Sequence, residues 1–391
     1  MINYEKKKET TTQRLTIVYT FKIKKNELPS LFILPALLRN SGDSFHSRKE
    51  FTRLLYSYYG ATIDVATSCI GTLGKLFVDI TVPKKEYVGE DNFVDIVKLS
   101  KELVFADETR FMNEDLENFK SEYVKMIKNL EDNIGFISKY IALQQIDKND
   151  VRNYPQYLSL KAFKKITIDD VIKVYRKLKT SHISYYFEGD KSKKYIKNEM
   201  NSLFSNSTRI LKIKSRDYDN VKFTSKSVTK KNEMQSSVTL VYSFKKSAYE
   251  FGNIFNIILS KVLFKEIREK RGYCYFIDSV IDSSRNLIMV NALVNNEVVD
   301  DCIKAIDQVI GDLKISSNDI NFAIKKFLNS LNILNDNYLN KVGFIESRVI
   351  NGDEADIKLI AKKVEQAKVD DLMKIKDSVK LISTCAVIGG Q

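Results

Sequence analysis

LTIVYTFK occupies residues 15 to 22, and VTLVYSFK occupies residues 238 to 245. Alternating β-branched and aromatic residues predict a half-buried strand in each. One eight-residue match is weak evidence, but two longer ones accompany it. EDLENFKSEYVKMIKNLEDN at 114 to 133 aligns without gaps on NDINFAIKKFLNSLNILNDN at 318 to 337. Apolar or aromatic residues coincide at Leu116/Ile320, Tyr123/Phe327, Val124/Leu328, Ile127/Leu331 and Leu130/Leu334, spacings that mark one helix face. ITIDDVIKVYRKLKTSHISYYFEGD at 166 to 190 matches AKVDDLMKIKDSVKLISTCAVIGGQ at 367 to 391, with Asp169/Asp370, Asp170/Asp371 and Gly189/Gly390 in step. Each of that pair reads as a helix followed by a strand ending in glycine. The order of the three matches is kept while the interval between copies shrinks, as loops of unequal length would produce. The chain is therefore an internal duplication, and the repeated strand is expected to begin each copy.

Composition sets limits. At 391 residues the chain exceeds what one core usually serves, which predicts two domains. Hydrophobic residues at 43% and charged ones at 29% describe a folded protein. The longest apolar run, LFILPALL at 31 to 38, is too short to span a bilayer, and MINYEKKKETTTQR carries charge without an apolar signal core. A cytoplasmic location is the expectation. Cys69, Cys274, Cys302 and Cys385 show no paired spacing and read as reduced structural thiols. The basic, aperiodic stretch from Asn206 to Lys231 is expected to be the linker, between a domain at 1–205 and one at 232–391. The net charge of +13 is spread among nearby acids without a nucleic-acid-binding motif, so it reads as a solvated surface or one that favours acidic peptides.

Conventional catalytic constellations are missing. The two histidines, His46 and His182, lie far apart in sequence and cannot build a multi-histidine metal site; both read as surface or strand residues. No G-x-S-x-G, P-loop or paired C-x-x-C occurs. The stretch that stands out is LFKEIREKRGYCYFIDS, 263 to 279. Phe251, Ile254, Phe255, Ile258, Val262 and Ile267 supply a helical stripe before it, Gly272 follows a basic last turn as a C-terminal cap should, and YCYFIDSV alternates as a strand. On residue physics alone this is a capped helix entering a strand.

The same segment resembles the C-terminal-domain signature of the pitrilysin/insulinase zinc peptidases, in the small-subunit branch that includes mitochondrial processing peptidase. Members of that branch read like LFQEIREKRGLAYSI, and LFKEIREKRGYCYFI departs at few places. The resemblance spans nearly the whole chain. It implies an α+β fold of two homologous domains, each a mainly antiparallel sheet with packed helices, together forming half of a clam-shell chamber. In active members an Arg of this helix end and a Tyr seven residues on reach the substrate and the tetrahedral intermediate, roles that fall here on Arg268 and Tyr275. The family's other signature, H-x-x-E-H, binds zinc and activates water. Counting back from SRKEFTRLLYSYYGATIDVATS, which resembles the segment after that motif, places Phe32, Pro35 and Ala36 at the His, Glu and His positions. LENFKSEYVKMI, set against the family's LEREREVVLEEI, places Met126 at the third ligand and Phe119 at the second acidic position. No metal ligand or cofactor is thus expected in this chain. The resemblance implies a non-catalytic subunit whose zinc comes from a homologous H-x-x-E-H partner, acting on peptides, with maturation of a ribosomally made peptide such as a bacteriocin as one specification. A structural core-type subunit and a stand-alone peptide-binding homodimer are the alternatives.

Overall fold

The computed structural model describes residues 2–40, 42–204, 211–213, 218, 220–231, 233–245, 247 and 249–390. They divide into two compact units, residues 1–128 with 150–213, and residues 129–149 with 214–391.

Unit 1 is built on strands β1 (Ile2–Lys6), β2 (Thr12–Lys22), β3 (Thr62–Ile70), β4 (Leu73–Pro83) and β5 (His182–Gly189), in the order β1-β5-β2-β4-β3. Unit 2 is built on β6 (Thr224–Lys231), β7 (Ser236–Ser243), β8 (Cys274–Asp282), β9 (Leu287–Val294) and β10 (Lys380–Gly390), in the order β6-β10-β7-β9-β8. Strand for strand the second sheet repeats the first. In each, the outermost pair, β1 with β5 and β6 with β10, is parallel, and every other pair is antiparallel. The α+β duplication expected from the sequence is thus borne out.

The repeated octapeptide lies in β2 and in and just after β7, the central strands of the two sheets. A central strand is covered on both faces, which is why Leu15, Ile17, Val18 and Tyr19 in one copy and Val238, Leu240 and Val241 in the other are fully buried. It does not begin each copy, as the sequence suggested, because an edge strand precedes it. INYEK and TSKSVTKK bond to one neighbour only, and their charge suits an edge that must not recruit other chains.

Both boundary predictions change accordingly. The expected linker at 206–231 ends in β6, while residues 205–210, 214–217 and 219 of that region and its border lie outside the described residues. Residues 129–149, assigned from the sequence to the first domain, belong to unit 2, where the helix Ile134–Ile146 lies over β7 and β10. Ile134, Ala142 and Leu143 pack there with Val241, Met289, Ile382 and Val387. The Ser138 hydroxyl reaches Ser237 Oγ and Thr239 Oγ1 at 2.9 Å each, and Gln145 Nε2 donates to the Thr384 carbonyl at 3.0 Å.

The other two matches recur as element pairs. The helices Asn113–Asp132 and Ser317–Asp336 bury Leu116 and Ile127, and Ile320 and Leu331, at equivalent places. Asp170 and Asp371 are in step because each accepts the N–H that opens its helix, from Thr167 at 3.2 Å and from Lys368 at 3.3 Å. In unit 2 the helix Tyr249–Leu263 buries Ile254, Phe255, Ile258 and Leu259 in the core beneath Leu240, Tyr242 and Val290, burial of the order of 1.5–3 kcal/mol for each large side chain. That anchorage fixes where the helix ends.

Candidate functional site

The helix Tyr249–Leu263 passes without a break into a π-helical stretch, Phe264–Glu269. Its wider turn is closed by Lys270 N–H donating to the Lys265 carbonyl at 3.0 Å. A π-turn inserts one residue, so the side chains after it are rotated relative to the helix that carries them. Ile267 remains fully buried while Arg268, the next residue, is exposed with its guanidinium 4.9 Å over the Phe264 ring. Gly272 ends the element with φ +64°, donating its N–H to the Arg268 carbonyl at 3.2 Å, while Tyr273 N–H donates to Ile267 at 3.2 Å. The glycine cap anticipated from the sequence is therefore in place. The basic last turn is matched locally, as Lys270 meets Glu266 at 2.8 Å and that hydrogen bond holds the Glu266 carboxyl below its usual range.

Two residues later the chain enters β8. Cys274 pairs with Val294 and Phe276 with Leu293, so Tyr275 is an extra residue opposite no partner, the signature of a β-bulge. Plain alternation, as read from YCYFIDSV, puts Cys274 with Phe276 on one face and Tyr275 with Ile277 on the other. The bulge instead buries Cys274 and Ile277 and leaves Tyr275 at 59% and Phe276 at 47% exposure. The π-helical stretch packs against β8. Burial pushes the Cys274 thiol up, with the Arg268 charge offsetting part of that. The helix end and the strand start are thus brought together, with Arg268 within the π-helical stretch and Tyr275 at the bulge. Only the signature resemblance pointed to them; periodicity gave no sign of either insertion.

The positions matched to metal ligands lie in unit 1. Phe32 and Ala36 are half-buried and Pro35 is buried on the helix Leu28–Leu38. The Phe32 ring meets three others edge-on, with centroids 5.3 Å from Tyr123, 5.9 Å from Tyr157 and 6.0 Å from Phe163. Met126 is 42% exposed and Phe119 half-buried; the residue that the helix Asn113–Asp132 presents to Phe32 is Tyr123, about one turn before Met126. Zinc takes thiolate, imidazole or carboxylate ligands, and an aromatic box supplies none. Among the described residues no group of three or more His, Cys, Asp or Glu could hold a metal ion. His46 lies on an exposed loop and His182 is buried on β5, near Ser184. The residues present do not fit a zinc centre, and no chemistry is assigned to one in this chain. Among the described residues no helix is long and apolar enough to cross a membrane.

Residues 165–326, which include Arg268 and Tyr275, match the family described as peptidase M16 inactive domain. No curated protein matches the sequence. Among solved structures, a conserved protein from Enterococcus faecalis superposes with a TM-score of 0.84 at 16% identity, covering 99% of this chain and 95% of that one. A peptidase M16 inactive domain from Pseudomonas fluorescens gives 0.78 at 13% identity, with 100% and 96% covered. A protease from Helicobacter pylori gives 0.78 at 12% identity, with 98% and 95% covered. At such identities the structures speak for the fold. Together with the family match over residues 165–326 they bear out the resemblance to the pitrilysin-type family.

Proposed function

We propose, from a pitrilysin-type domain pair on the non-catalytic side of its family, that this chain is the accessory subunit of a heterodimeric zinc metallopeptidase acting on peptides. The observation that carries the reading is the contrast within one chain: aromatic rings close around Phe32 where a ligand would stand, while a β-bulge leaves Tyr275 exposed on the strand against which the helix end bearing Arg268 packs. A chain without zinc ligands that had also lost Arg268 and Tyr275 would be a scaffold. Zinc and the general base belong to a homologous H-x-x-E-H partner. Arg268 holds a substrate carbonyl or carboxylate by charge-assisted hydrogen bonds, and Tyr275 donates to the oxyanion that forms on the attacked carbonyl. The +13 charge supports acidic peptides as substrates, with leader removal from a ribosomally made peptide such as a bacteriocin as the specification, in the cytoplasm.

The experiment is to purify the chain alone and with a candidate H-x-x-E-H subunit, and to measure mass, zinc content and peptide cleavage. A 1:1 complex is expected, with an interface at or above the standard class of roughly 1,600 Å². Cleavage is expected only from that complex. About one tightly bound zinc per isolated chain, lost on mutating residues 31–40, contradicts the reading. So does a chain that stays monomeric at micromolar concentration when mixed with that subunit.

A further inference from the structure

A recess of about 690 Å³ opens within unit 2 beside the Tyr275 bulge, a volume within the range of roughly 300–1,000 Å³ that encloses small ligands. Its apolar wall is Ile134, Met234, Phe276, Ala292 and Leu293. Its polar wall is largely engaged within the protein. Ser237 Oγ shares a hydrogen bond with Ser138 at 2.9 Å, Asn133 Oδ1 accepts from Phe136 N–H at 2.9 Å, and Asn291 Oδ1 accepts from Thr239 Oγ1 at 3.1 Å. Glu233 pairs with Lys230 at 3.6 Å. Polar groups already satisfied add little to ligand binding, so what the recess has to offer is apolar surface. Phe276 is 47% exposed and Met234 94%, both large side chains kept in water at the recess wall. Phe276 follows Tyr275 directly, so the recess starts within one residue step, about 3.8 Å along the backbone, of the candidate tyrosine.

We propose that this recess is a side-chain subsite: it takes a bulky apolar residue, aliphatic or aromatic, of the peptide whose backbone passes Tyr275, and so sets sequence preference near the attacked bond. The inference rests on the peptide-handling reading above and names the residue class that reading leaves open.

Binding by the isolated full chain tests it without a partner or turnover. Two fluorescein-labelled nonapeptides, identical except for Phe or Ser at the central position, are titrated by anisotropy. The Phe peptide is expected to bind at least about tenfold tighter, the effect of burying one large apolar side chain. With the methionine methyl groups labelled for NMR, the Phe peptide alone shifts the Met234 signal. Met234→Asp, at an exposed position that leaves the fold alone, and Phe276→Ser each bring the Phe peptide to within about threefold of the Ser peptide. Equal affinities, no saturable binding of the Phe peptide up to about 1 mM, or a preference that survives both variants overturns the proposal. Failure of the peptidase reading shows as absent heterodimer or absent cleavage and leaves this readout in place; equal affinities sink the subsite alone.

Discussion

The N–H of Gly272 donates to the carbonyl of Arg268 at 3.2 Å, and Gly272 holds φ +64° to do so. A Cβ added there meets nothing within 4 Å, so any cost of a side chain is backbone strain alone. Gly272→Ala is expected to lose about 1–2 kcal/mol in denaturant unfolding, with the slope unchanged, and Gly272→Asn to lose less. An alanine variant as stable as wild type means that the turn relaxes and does not fix Arg268.

The helix Ile134–Ile146 is placed by its contacts in unit 2 and not by its neighbours in sequence. Leu143→Ala, at 1% exposure against the face of β7 and β10, is expected to cost about 2–5 kcal/mol. Ser138→Ala withdraws a partner from the Ser237 and Thr239 hydroxyls and is expected to cost roughly 1–3 kcal/mol. Losses under about 0.5 kcal/mol at both positions in urea melts detach this helix from the sheet.

Burial pushes the thiols of Cys302 and Cys385 up to about 12 and about 11. At pH 8 the first is thiolate to only about one part in 10⁴, and neither is exposed. Iodoacetamide should label these two no faster than the protein unfolds, and all four cysteines promptly in urea. Fast native-state labelling at Cys302, read by peptide mass, contradicts the packing described.

Asp79 sits on β4, accepting the Thr16 hydroxyl at 2.7 Å, and burial raises its carboxyl above the usual 3.8. A carboxyl raised in the fold favours the protonated folded state. Its contribution is intact below 3.8 and is lost as pH rises through the higher folded value. Asp79→Asn keeps an acceptor for Thr16 and has no charge to bury. The variant should melt above wild type at pH 7 and converge with it below pH 3.8. A variant that melts lower at pH 7 shows that the charge is held by more than Thr16.

What could be read from the sequence was what repeats. Central strands, buried on both faces, must spell their environment in side chains, so LTIVYTFK and VTLVYSFK were legible. Edge strands INYEK and TSKSVTKK, bonded on one side and half-buried or exposed at every residue whose burial is described, were not. The helix IGFISKYIALQQI gave no hint of its unit, because chain order does not encode which sheet face needs covering. Arg268 and Tyr275 were singled out by signature alone, and the π-turn and the β-bulge on which they lie arise from packing and have no period to detect. The vacant ligand positions were likewise visible as residue types, whereas the ring facing Phe32, Tyr123 and not Met126, depended on a register about one helical turn away.

The most direct test of the central claim is Tyr275→Phe, reconstituted with the proposed zinc-bearing subunit and assayed for peptide cleavage beside its melting temperature and assembled mass. The substitution removes one hydroxyl from a residue that is 59% exposed and unpaired in the β8–β9 ladder, so the fold has little to lose. If that hydroxyl donates to the oxyanion, an assembled and equally stable heterodimer turns over about 10²-fold to 10³-fold more slowly. Turnover within about threefold of wild type, with the heterodimer intact, contradicts the account.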